Sequence, residues 1–176
     1  NPKIHNLYQA YRSMYDAIGV KNVNAILPPP SAPQPMDPSL EHILAISGKP
    51  FQAYPGQDHK AHIDAHLSFM SISMVQNNPM AMMALQKNIL EHISLMAQEQ
   101  IQLEYVEEMK ELQMIQQQMA PMMQNPQAMQ QMQQNPQVMQ MQQRVKQLTS
   151  MMESRKAVLI AEMTMDYAKE EDKISS

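Results

Sequence analysis

One stretch of the chain has metal-ligand character: Asp58-His59-Lys60-Ala61-His62-Ile63-Asp64-Ala65-His66. On a helix, His62 and His66 lie one turn apart on the same face, as in two-histidine zinc sites. His59 stands one turn before His62. Positions 63–65 are Ile, Asp and Ala, so the glutamate of a zinc-protease helix is missing. No third ligand is set by spacing. A two-histidine spacing alone is permissive, so these side chains are expected to hydrogen-bond a neighbouring helix or subunit, and no tightly bound metal or other cofactor is expected. A second reading is a pH-sensitive contact, because histidine titrates near neutrality.

No other chemistry is spelled out. Cysteine is absent, which removes thiolate nucleophiles, thiolate metal sites and disulfides. There is no Gly-x-Ser-x-Gly elbow, and three glycines are too few for most nucleotide loops. Glu99, Glu104, Glu107, Glu108 and Glu111 read as a solvated helix face rather than as acid–base groups. No catalytic residue is named, and an enzyme is not expected.

The elements that must hold the histidines are helices. Helix formers dominate from Asp58 onward, and no sustained alternating strand pattern or hairpin dipeptide occurs. Proline marks the boundaries. A first helix is predicted from Ile4 to Ile18, closed by Gly19, with a Pro-rich strap from Ser31 to Pro38. Asp37-Pro38 starts a short helix carrying Leu40, Ile43, Leu44 and Ile46 and ending at Gly48. Asp58 caps a helix to about Asn77, with Ile63, Leu67, Met70 and Met74 on its apolar side. Asn78-Pro79 then opens the longest helix, unbroken to Ala120 and about 60 Å long. Its stripe of Leu85, Ile89, Ile93, Met96, Leu103 and Val106 is the predicted packing seam, within the chain or between subunits. Leu90, Leu95, Ile101 and Leu112 lie off that stripe.

From Gln113 to Gln147 the sequence is rich in Gln and Met and repeats itself, at Asn125-Pro-Gln-Ala-Met129 and Asn135-Pro-Gln-Val-Met139. Each Asn-Pro restarts a helix, which predicts a hairpin or kinked connection; the alternative is plain disorder. A further helix returns from Val138 with Val145, Leu148, Met152, Val158, Leu159, Met163 and Tyr167 near one face, and a frayed tail follows from Lys169. The expectation is an all-α chain of long amphipathic helices with Pro-rich connections. It divides into short helices and strap at 1–57, a long helical region at 58–120, and a Met/Gln-rich helical region at 121–176.

The apolar fraction, 44% of 176 residues, is enough for a core, but 21 of those residues are Met. Met fills irregular space and specifies one packing poorly, so repeated neighbours in an oligomer would supply what the side chains do not. No run approaches a membrane span. The net charge of −4 argues against a basic patch that grips nucleic acid.

Against this background, four segments resemble the later part of portal proteins of podovirus-type bacteriophages, the head–tail connectors. They are Asn6-Leu-Tyr-Gln-Ala-Tyr-Arg-Ser-Met-Tyr-Asp-Ala-Ile-Gly-Val20 with Ile26-Leu-Pro-Pro-Pro30; Gln34-Pro-Met-Asp-Pro38; Gly48-Lys-Pro-Phe-Gln-Ala-Tyr-Pro-Gly-Gln-Asp-His-Lys-Ala-His-Ile-Asp-Ala-His66; and Asn88-Ile-Leu-Glu-His-Ile-Ser-Leu-Met-Ala-Gln98. The likeness covers roughly the first 110 residues, and the start at Asn1 rather than Met reads as that of a fragment. The resemblance implies a homo-oligomeric ring, usually of twelve subunits, at one capsid vertex. DNA passes through such a ring during packaging and ejection without sequence recognition. Terminase, tail adaptors and capsid protein dock on the whole portal, which resides in the virion after assembly in the host cytoplasm. This region of such proteins forms the crown and, in some members, a helical barrel. The rival expectation is a coiled-coil scaffold or adaptor that binds partner helices.

Overall fold

The computed structural model describes residues 34–123 and 135–175, together with residues 10, 12–14, 17 and 19. The fold is all-α, with no strand among the described residues. The chain forms two compact units, Asn1–Gln34 and Pro35–Ser176. In the first, residues 10, 12–14 and 17 are helical, and Gly19 takes a left-handed φ of 73°, as a helix-closing glycine does. The rest of the predicted first helix and of the Pro-rich strap up to residue 33 lies outside the described residues.

Among its described residues the second unit holds six helices: α1 (Pro38–Ile46), α2 (His59–Met70), α3 (Ser73–Gln76), α4 (Pro79–Glu104), α5 (Val106–Met123) and α6 (Pro136–Ile174). Their starts follow from side chains that accept the otherwise unpaired first amides. Asp37 accepts from Ser39 N–H, Asp58 from Ala61, Asn78 from Ala81 and Asn135 from Gln137. Three of the four are followed at once by proline, which supplies no amide and has its φ preset for the first turn.

Several boundaries differ from the sequence reading. The helix predicted from Asp58 to Asn77 stops at Met70 and restarts as α3. The helix predicted unbroken from Pro79 to Ala120 is interrupted at Tyr105, whose φ of −115° and ψ of 35° leave the helical region. The second piece, α5, runs on through Pro121. The longest helix is therefore not here but α6, 39 residues and about 58 Å. It absorbs most of the tail predicted to fray from Lys169.

The core lies between α1, α2, α4 and α6, around Ala45, Met70, Val75, Ala81, Leu85, Ile89, Ile93 and Tyr167. A second cluster of Ala97, Ile101 and Leu159 continues it along α4 and α6. On α4 the buried line steps strictly by fours, 81-85-89-93-97-101. Leu85, Ile89 and Ile93 of the predicted seam are on it. Met96 sits only partly buried beside it, whereas Leu103 is 79% exposed and Val106 is also exposed. The predicted seven-residue step from Met96 to Leu103 leaves the buried face, because two residues beyond Ile101 a helix points to its far side. Met74 and Val158 are likewise exposed rather than on the buried faces predicted for them.

From α4 the chain runs out along α5 and returns antiparallel along α6. Bonds between the arms fix the direction: Gln76 to the Ile174 carbonyl, Gln86 to Glu171, Arg155 to Glu104 and Arg144 to Glu111. The facing positions alternate steps of three and four: 101, 105, 108, 112, 115 and 119 on the outgoing arm, and 138, 141, 145, 148, 152, 155 and 159 on the return. That is coiled-coil spacing, satisfied inside one chain. The two arms lie antiparallel; the connection at 124–134, predicted as a hairpin or a kink with disorder as the alternative, lies outside the described residues.

Candidate functional site

The most buried face of α2 is not apolar. It carries His59, His62 and His66, with Met70 completing the line at helical spacing. Opposite, α4 also buries Asn88 and His92, on a line one residue before Ile89 and Ile93. The third wall is α1, which buries Glu41 and Ala45 while Leu40, Ile43 and Ile46 face outward. Three of the four aliphatic residues that the sequence places on this helix thus lie outside the core. Its inward face is chosen by a carboxylate that meets histidines, not by its aliphatic residues.

The polar groups form two linked chains. In the first, His62 Nδ1 lies 3.0 Å and His66 Nε2 3.2 Å from the same oxygen, Glu41 Oε2. His66 Nε2 is also 2.9 Å from Asn88 Oδ1, and its Nδ1 is 3.0 Å from His42 Nε2. The His42 ring stacks on Phe69 with centroids 4.0 Å apart. In the second chain, His92 Nδ1 lies 2.8 Å from His59 Nδ1, and His59 Nε2 lies 3.1 Å from Glu99 Oε1. Glu99 also accepts the Gly56 amide, and Glu91 accepts that of Ala53, so α4 clips the 49–57 loop that leads into α2. The rings of His62 and His92 join the chains, 4.6 Å between centroids.

Burial sets the protonation. It pushes His92 down to about 4, assisted by His62 and His59. Burial likewise takes His42 to about 4, with His66 adding to it. Burial works to raise the Glu41 carboxyl, but hydrogen bonds from His66 and His62 outweigh it and hold the carboxyl below its ordinary value. Glu99 is also lowered, first by the Gly56 amide and then by His59. At neutral pH the site therefore holds an ionised carboxylate against at least one neutral, fully buried imidazole.

Glu41, His62, His66 and His92 each place one possible ligand atom within 4.8 Å of the others. The further donor atoms that sequence spacing does not set thus come from α1 and α4. His92 stands among the apolar residues of α4, and Glu41 lies on a helix marked in the sequence by its aliphatic residues. The usable signal was a His and an Asn at core positions of α4. The carboxylates expected as a solvated face are partly engaged: besides Glu99, Glu104 pairs with Arg155 and Glu111 with Arg144. The cleft of about 440 Å³ between α2, α4 and α6, lined by Lys60, Ile63, Asp64, Leu67, Ile93 and Met96 among others, takes no side chain of the buried cluster. Among the described residues no helix is long and apolar enough to cross a membrane.

Comparison of the chain with protein-family models, with curated proteins and with solved structures found no match.

Proposed function

We propose that this chain is a structural subunit of a bacteriophage portal ring, in which the helical hairpin α4–α6 prolongs the wall of a DNA channel. One observation carries the assembly: the helices turn large apolar side chains outward on faces the chain's own core does not use. On α1 these are Leu40, Ile43 and Ile46; on α4, Met80, Met83, Leu90 and Leu103. Where such side chains adjoin, they offer surface that another chain can cover. In a ring the two flanks of a subunit meet different patches of identical neighbours, so apolar groups are needed on more than one face. The segments Asn6–Val20, Gly48–His66 and Asn88–Gln98, which resemble portal sequence, supply the kind of assembly. The negative net charge suits a wall that DNA slides past. Terminase, tail adaptors and capsid protein would meet the whole portal, and the site of action would be the virion. No catalytic step is assigned.

The coiled-coil adaptor is the weaker reading, because the three–four seam is already filled by α6 and needs no partner helix. Light scattering on the eluting protein separates the two. The ring predicts a mass many times 20.2 kDa, reduced by Leu103→Asp. A monomer at high micromolar concentration rejects the assembly.

A further inference from the structure

We infer that Glu41, His62, His66 and His92 bind one divalent first-row transition ion, best matched by zinc, which fastens α1, α2 and α4 together. The site is independent of the portal reading, and the first argument for it is an imbalance in hydrogen bonding. Among the described residues three buried side-chain polar atoms have no hydrogen-bond partner: Glu41 Oε1, His92 Nε2 and the Tyr167 hydroxyl. Two of the three belong to this cluster. Buried polar atoms are almost always paired, because an unpaired one forfeits its hydration for nothing. Here one carboxylate oxygen and one imidazole nitrogen are left over on residues of one buried cluster, and both are lone-pair donors to a cation.

Tautomers point the same way. If His59 donates Nε2–H to Glu99, its Nδ1 is an acceptor. His92 then donates Nδ1–H to His59, and His92 Nε2 is left with a bare lone pair in the protein interior. This is the arrangement in which a ligating histidine gives its second N–H to an outer partner that fixes ring and tautomer. On the other side His42 Nε2 can accept the Nδ1–H of His66, so that an ion displacing the proton His66 Nε2 shares with Glu41 Oε2 and Asn88 Oδ1 would meet a lone pair there.

Distances fit as well. Tetrahedral zinc with bonds of about 2.0–2.1 Å needs ligand atoms about 3.3 Å apart. His62 Nδ1 and His66 Nε2 stand at 3.0 and 3.2 Å from Glu41 Oε2. The whole set lies within 4.8 Å, so His92 needs only side-chain adjustment. The chemistry selects the metal. Imidazole suits zinc, copper, iron and nickel, and a single carboxylate among three imidazoles excludes the all-oxygen shells that calcium and magnesium prefer. Four protein ligands in a buried site leave no open position, which is the pattern of a structural rather than a catalytic ion. A divalent cation also supplies the counter-charge for a carboxylate held ionised in the interior.

The test uses untagged full chain, stripped with a chelator and desalted, then titrated with zinc alone and separately with cobalt(II). The expected result is one zinc retained per chain after desalting, a melting temperature raised by about 5–10 °C at a hundredfold excess over Kd, and the intense visible bands of tetrahedral cobalt. His92→Gln and Glu41→Gln should each abolish retention. His59→Gln, which removes only the outer partner of His92, should weaken binding by about 10–100-fold. Should a ligand variant fail to fold, wild-type stoichiometry and the cobalt spectrum decide alone. Retention below about a tenth of an equivalent with an unchanged melting temperature overturns the site. So does the faint spectrum of octahedral cobalt, or retention that survives both His92→Gln and Glu41→Gln.

Discussion

Ile93→Ala tests whether the four-step line on α4 is the core. Ile93 is 1% exposed, in van der Waals packing with the cluster that includes Leu85, Ile89 and Tyr167. The change deletes three carbons, about 2.4 kcal/mol at 0.8 per buried methylene, before the cavity is counted. With incomplete collapse the cost is about 2–5 kcal/mol. For a chain of this size that lowers the melting temperature by roughly 4–20 °C. Leu103→Ala removes the same number of carbons from a side chain that is 79% exposed, and should change the unfolding free energy of the isolated chain by no more than about 0.5 kcal/mol. Differential scanning calorimetry on both, below the concentration at which the protein associates, gives the comparison. Equal effects would refute the placement of the buried line. A large effect from Leu103→Ala alone would restore the seven-step stripe and make Leu103 part of the fold.

In chelator, stability should fall as pH drops from 6.5 toward 4. His42 and His92 titrate near 4 in the fold but near 6.5 unfolded, so between those values the unfolded chain takes up protons that the fold refuses. The contribution is complete above 6.5 and lost by about 4, on the order of 3 kcal/mol for His92 and less for the partly exposed His42; urea midpoints flat across that range would contradict it. Asn78→Ala deletes the side chain that accepts Ala81 N–H at 3.1 Å and should cost about 1 kcal/mol by chemical denaturation, recovered largely by Asn78→Ser. Gly48→Ala forces a β-carbon onto a φ of +65° and should destabilise by about 1 kcal/mol, although its nearest neighbour, Met80 Cε, leaves room at 3.7 Å. Deleting residues 124–176 uncovers α4 by removing Leu159 and Tyr167, so the remainder should bind a hydrophobic dye and lose cooperative melting; a sharp transition near the parent's would show the core closes without α6.

The helix starts were readable because each is local chemistry: an Asp or Asn with one free carboxyl or amide oxygen, usually ahead of proline, meeting amides two or three residues on. The return of the chain after the Met/Gln repeat was readable for the same reason at Asn135-Pro136. Less readable was anything decided by distant partners. Leu40, Ile43 and Ile46 look like the buried face of α1 from their spacing, yet Glu41 is buried instead, since what waits opposite is a histidine face on α2. His62 and His66 announce themselves one turn apart, but Glu41 and His92 come from other helices, and no spacing rule links them. The break at Tyr105 follows no proline or glycine; it falls where α4 leaves the core and the hairpin begins.

The ring is tested most directly by a negative-stain micrograph of the purified protein. The proposed ring predicts round particles with a central hole and rotational symmetry. Small, compact particles without a hole, across the concentration range in which the protein is soluble, would contradict it.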